Sequence, residues 1–225
     1  ISVDEAPQSY YNKGIYVTSL PWITKARWQS LHPEATKEKG DETVSQMVLT
    51  YLKNLVALNP ECKHILVGHL AVAGSKAQNH QQMGADGVTV GLHDLPESGL
   101  YAAMLGHIHL QQEVGNNGRF FYNGSITPLD YGETPDKWFS VLDTMTGKVE
   151  WVLLNTVYRY DVVAEWTPMG LSMTEPDPKL LKGSRVRVNL RVVGGDNVKA
   201  AREAIDGWGE RVEALEVKVN PQVIP

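Results

Sequence analysis

The apolar positions of this chain fall into short runs and alternations of strand length, broken by stretches rich in glycine, proline and polar residues. Residues 14–20 (Gly-Ile-Tyr-Val-Thr-Ser-Leu) read as a short strand stopped by Pro21. Residues 24–40 are polar and without period, as a surface loop would be. Over 41–58, Val44, Met47, Val48, Tyr51, Leu52, Leu55 and Val56 recur at helical spacing, with Asp41 placed to cap the helix and Asn59-Pro60 to end it. His64-Ile-Leu-Val-Gly68 and Tyr101-Ala-Ala-Met-Leu105 are continuous apolar runs of the kind carried by buried parallel strands. Residues 75–99 hold no clean period. Two hairpins follow: 111–114 and 119–122 flank Gly115-Asn-Asn-Gly118, and 138–142 and 149–154 flank a turn at Thr146-Gly147.

Residues 167–184 carry Pro168, Pro176 and Pro178 with Gly170 and Gly183, and read as a linker. Beyond it, 185–192 and 213–219 alternate polar and apolar as half-buried strands do, with a short helix predicted at 197–205. Such a β-α-β unit is too small for a secure core of its own and is expected to pack on the first domain as a cap. The expected layout is therefore a main domain over 1–166, a linker over 167–184 and a cap over 185–225. Strand–helix–strand order followed by a strand-rich middle predicts a layered α/β or α+β fold.

Composition narrows the class. The chain has 225 residues, 42% hydrophobic and 21% charged, an ordinary globular balance. No stretch approaches the roughly 20 apolar residues of a membrane helix, so no membrane association is expected. The acidic start, residues 1–5, has no apolar core and is no signal peptide. A single cysteine, Cys62, excludes an internal disulfide and favours a reducing compartment, hence a cytoplasmic protein. The net charge of −5 argues against a nucleic-acid binder working through a broad basic surface. An enzyme that grips phosphates through bound metal ions remains compatible with it.

Three histidines stand where predicted strands end. His69 follows Val67-Gly68, and His107 and His109 follow Leu105-Gly106. Ligand sites in layered α/β sheets gather at such carboxyl ends. The glycine before His69 and before His107 would let the backbone turn sharply into a site. Imidazole suits zinc, manganese or iron, and histidines at i and i+2 can each serve a different ion. His32, His64, His80 and His93 have no such setting and read as ordinary polar residues.

In order, Gly68-His69-Leu70 and Leu105-Gly106-His107-Ile108-His109 resemble the last two metal motifs of the calcineurin-like phosphoesterases, and Tyr122-Asn123-Gly124-Ser125-Ile126-Thr127-Pro128-Leu129 resembles a Gly-Ser-x-x-Pro-Leu segment that follows them. More narrowly they resemble the SbcD nuclease subunit and its double-strand-break-repair relatives, whose Gly-Ser-x-x-Pro-Leu segment and capping unit are not general phosphoesterase features. Ser19-Leu20-Pro21-Trp22 is similar to that family's short strand before its helix, so the resemblance spans nearly the whole chain. It implies part of a four-layer metallophosphoesterase sandwich with a small β-α-β capping domain. It implies a metal-dependent DNA exo- or endonuclease using two divalent ions, with manganese the usual metal. His69 and His107 would hold one ion and His109 the other. Together the ions would clamp a phosphodiester and activate a water for in-line attack. Gly124 and Ser125 would shape the substrate-binding wall. The implied partners are DNA, an SbcC-type ATPase and a second copy joined through N-terminal helices.

The family's opening Asp-x-His, Gly-Asp-x-x-Asp and Gly-Asn-His motifs do not occur here. With them go the carboxylate ligands and the histidine expected to act as the catalytic acid. Three neutral imidazoles make a poor site for a hard cation. The chain, which does not open with Met, is therefore expected to be the C-terminal part of a longer protein and to be inactive on DNA alone. Other readings of the same residues are a different phosphoesterase, a scaffold that keeps the fold without the chemistry, and a three-histidine zinc site.

Overall fold

A computed structural model describes residues 8–24, 26, 37–77, 88–115, 118–133, 136–174, 182–193, 198–209 and 212–222. Among these, strands far outnumber helices in a mixed α/β chain. No described helix is long and apolar enough to cross a membrane. The chain divides into two compact units, residues 1–126 with 138–154 and residues 127–137 with 155–225.

The first unit is built on a six-stranded sheet. Strands β1 (Gln8–Asn12) and β2 (Ile15–Leu20) form an antiparallel hairpin. Its two-residue turn, Lys13-Gly14, has positive φ at both positions (46° and 81°), the geometry of the tight turn whose twist matches paired strands. Parallel to β2 run β3 (Lys63–His69), β6 (Ala102–Gly106) and β8 (Phe120–Tyr122), and β7 (Gln112–Glu113) closes the edge antiparallel to β8. The sheet order is β1-β2-β3-β6-β8-β7. Short strands β4 (Ala71–Val72) and β5 (Thr89–Val90) pair in parallel beside it, followed by the single turn of helix α2 (Asp94–Glu97). Strands β9 (Trp138–Leu142) and β10 (Val149–Leu153) make the second predicted hairpin, with Trp151 against Phe121 of β8.

Helix α1 (Lys37–Leu58) covers one face of the sheet. Val44, Val48 and Leu52, four residues apart, are buried there with Leu66, Ala103, Leu105 and Phe120. Burial of each larger side chain stabilises by about 1.5–3 kcal/mol. The helix starts four residues before the expected cap, so Asp41 lies inside it, and Met47 of the predicted apolar face is 48% exposed. Four residues of the expected polar loop, 37–40, are thus helical. His32 and His80 lie outside the described residues.

The second unit holds a four-stranded sheet of order β12-β11-β13-β14: β11 (Arg159–Thr167), β12 (Gly170–Thr174), β13 (Arg185–Val193) and β14 (Ala214–Gln222). β11, β13 and β14 are parallel and β12 is antiparallel to β11. The amphipathic helix α3 (Val198–Asp206) buries Ala201 and Ile205 with Val186, Val188, Leu190 and Val192 of β13. This differs from the expected layout. Residues 167–174, expected as linker, close a hairpin, and the strand at 159–167 belongs to the second unit's sheet rather than to the first domain. The physical reason is the alternation Tyr160, Val162, Ala164, Trp166, whose side chains all join the second core. Pro168 sits in the hairpin turn, where no ladder hydrogen bond is needed.

Candidate metal centre

Parallel register brings the candidate residues together. Leu20 of β2 pairs with Gly68 of β3, Gly68 with Leu105 of β6, and Leu105 with Tyr122 of β8. These four residues form one row across the sheet near the carboxyl ends of its strands. Just beyond the row come Trp22, His69, His107 and Asn123-Gly124. They lie at the place where a parallel sheet offers diverging loops for a ligand.

The imidazoles of His69 and His107 face each other with ring centroids 5.5 Å apart and planes inclined at 62°. Trp22 packs on both. It is stacked on His107 at 4.4 Å and meets His69 edge-on at 5.2 Å. A cleft of about 590 Å³ opens here, lined by Trp22, Val67, His69, Met104, Asn123 and Gly124 among others. Gly124 belongs to this wall. Ser125, His107 and His109 are not part of the lining; of the three candidate histidines His69 alone is. Ser125 instead donates its backbone N–H to the carbonyl of His109 at 3.2 Å.

The glycines act differently from expectation. Neither Gly68 nor Gly106 takes a positive φ; His107 itself does, at 97°. A non-glycine residue there costs about 1–3 kcal/mol, and such strain gathers at functional sites. Gly106 instead supplies room: a Cβ on it would stand 3.1 Å from Nδ1 of His69. Gly124 has φ +81°, and a Cβ there would stand 2.7 Å from the His109 carbonyl oxygen. The two glycines thus allow the two histidine-bearing turns to approach their neighbours.

Burial lowers the pKa of His69, and the neighbouring His109 lowers it further. Burial likewise lowers that of His107, with His69 and His109 adding to the effect. Both rings are therefore held toward the neutral form, the form that ligates metal. The donor set fits part of a centre. Two imidazoles lie close enough to share an ion and a third interacts with both, but among the described residues no three His, Cys, Asp or Glu side chains gather for one ion. Among the described residues no carboxylate lines the cleft.

The other described histidines, His64 and His93, have structural settings. His64 is buried, its Nε2 3.0 Å from the Asn59 carbonyl and its ring stacked on Tyr16 at 5.1 Å. His93 is exposed at the start of helix α2. Two residues that sequence reasoning gave no role stand at the site. Trp22 forms its aromatic wall. Tyr122, fully buried, donates its hydroxyl to the Leu70 carbonyl at 3.0 Å and accepts the Val72 N–H at 2.9 Å, and burial pushes its pKa up to about 12. The signal for both was the row Leu20–Gly68–Leu105–Tyr122, which exists only once strand order is known. No protein-family model and no curated protein matches the chain.

Proposed function

We propose that this chain is the C-terminal part of a metal-dependent phosphodiesterase of the SbcD nuclease type, contributing histidine ligands to a centre completed by carboxylates from elsewhere. The observation that carries the reading is the facing pair His69–His107 at 5.5 Å, at the carboxyl ends of neighbouring parallel strands and held toward the neutral form. In this reading His69 and His107 bind one ion and His109 the other, and manganese is the expected metal. The ions would supply charge neutralisation and an activated water for phosphodiester hydrolysis. The chain's own residues orient the ligands. Trp22 packs the imidazoles from one side, and Gly106 and Gly124 leave room for the turns. DNA is the proposed substrate and an SbcC-type ATPase the proposed partner. The strand-rich first unit would be part of the metallophosphoesterase sandwich, and the second unit its capping domain.

That no carboxylate among the described residues lines the cleft leads to a specific expectation. With Mn2+, the 225-residue chain releases no nucleotides from linear duplex DNA, whereas a longer polypeptide carrying the acidic motifs does so, and His107→Ala abolishes that release. Nucleotide release by the chain itself, lost in His107→Ala, would overturn the proposed division of the ligands. A longer polypeptide that takes up metal but never cleaves would favour the scaffold reading, which the same bare cleft supports.

A further inference from the structure

The histidine pair is only as well placed as the strand ends that carry it. Tyr122 closes β8 and is fully buried, in the same row as Gly68 and Leu105. Its hydroxyl bridges two backbone groups of the segment directly after His69, taking the Val72 N–H and giving its proton to the Leu70 carbonyl. Val72 lies in β4, whose flanking N–H groups at Ala71 and Ala73 are met by Val88 and Val90. The N–H of Val72 points the other way and is met by Tyr122. The residues after Tyr122 tie down the other turn, with Asn123 N–H on the Leu105 carbonyl at 3.3 Å and Ser125 N–H on the His109 carbonyl at 3.2 Å. One continuous segment therefore bonds to the backbone of Leu70, Leu105 and His109, at or within two residues of each histidine.

We infer that Tyr122 is a positioning residue of the histidine site: its hydroxyl fixes the strand end bearing His69 relative to the turn bearing His107 and His109. The inference deepens the metal reading and rests on it for its functional meaning. Tyr122→Phe keeps the ring and its packing but removes the one atom that satisfies both Leu70 and Val72. A buried carbonyl and a buried N–H then lose their shared partner, and the strand end can reach other partners only by moving. Such movement shifts the ring of His69 while leaving His107, which follows a different strand, against Trp22.

The test uses the whole chain in three forms: wild type, Tyr122→Phe, and Leu52→Ala as a control that removes core packing on α1. Two quantities are read, ring-to-ring nuclear Overhauser effects and Co2+ binding followed by its visible absorption. Wild type should show Trp22 contacts to both His69 and His107. Tyr122→Phe should lose the Trp22–His69 contact, keep Trp22–His107, and bind Co2+ about tenfold or more weakly, the range typical of residues that support metal ligands. Leu52→Ala should leave contacts and affinity as in wild type although it unfolds more readily. A Trp22–His69 contact retained in Tyr122→Phe overturns the inference whatever the metal does, as does its equal loss in Leu52→Ala. If wild type takes up no cobalt while the contact is lost only in Tyr122→Phe, the positioning role stands and the metal reading falls.

Discussion

Replacing Gly124 by alanine separates two costs that the site imposes on one residue. The first is conformational. At φ +81° an alanine adopts a left-handed backbone, which costs about 1–2 kcal/mol, partly offset by about 0.4–1 kcal/mol from a stiffer unfolded chain. The second is steric. The new Cβ would lie 2.7 Å from the His109 carbonyl oxygen and 3.0 Å from the Gln111 nitrogen, both backbone atoms that cannot rotate aside. Forcing such atoms apart costs about 1–3 kcal/mol. Gly74 provides the internal reference, because its φ is +84° and nothing lies within 4 Å of a Cβ built on it. Gly74→Ala should therefore cost about 1 kcal/mol, the conformational part alone, and Gly124→Ala about 2–4 kcal/mol. Urea unfolding of the two variants, followed by resonances of the first unit, measures the difference. Equal losses of stability would refute the reasoning, since the close approach of Gly124 to the His109 turn would then carry no energy.

Other consequences can be checked in the same way. Because burial lowers the pKa of His69 and His107 below 6.5, the unfolded chain takes up protons before the folded one as pH falls. Their contribution to stability is complete above pH about 6.5 and is lost progressively below it, so the thermal midpoint should fall with acidification in that window, and less steeply in His69→Asn/His107→Asn. Lys137 and Glu133, paired at 2.7 Å with side chains only 2% and 3% exposed, form a buried ion pair of the second unit. Lys137→Met should cost about 3–5 kcal/mol in chemical denaturation, and adding Glu133→Gln should restore much of it, since the single change leaves a carboxylate buried beside an apolar side chain. Leu190→Ala, in the second core, should cost about 2–5 kcal/mol while amide exchange in β3 and β6 stays unchanged.

Much of the sheet was legible because burial on both faces writes itself as continuous apolar sequence. β3 and β6 were read within a residue of their observed ends, and β13 and β14 from their alternation. β1 left no such trace: Gln8 to Asn12 are all exposed, and the strand exists by pairing with β2 rather than by burying side chains. The hairpin of β11 and β12 was hidden by prolines and glycines, which mark a chain reversal as readily as a linker. His69 and His107 were identified from their position after apolar runs, and their proximity follows from the parallel register of β3 and β6. Trp22 and Tyr122 were not identifiable that way. They reach the site from β2 and β8, one on either side, and only the order of strands says that four separated segments end in one row.

The central claim, that His69 and His107 share a metal ion, is tested most directly by equilibrium dialysis of the chain against Co2+ or Zn2+. His69→Ala, His107→Ala and, as a control, His93→Ala should be compared with wild type. Uptake that falls at least tenfold in either site variant and is unchanged in His93→Ala is the predicted result, in keeping with loss of one of two imidazole donors. Uptake that is equal in all four proteins, or absent from all of them, would contradict it.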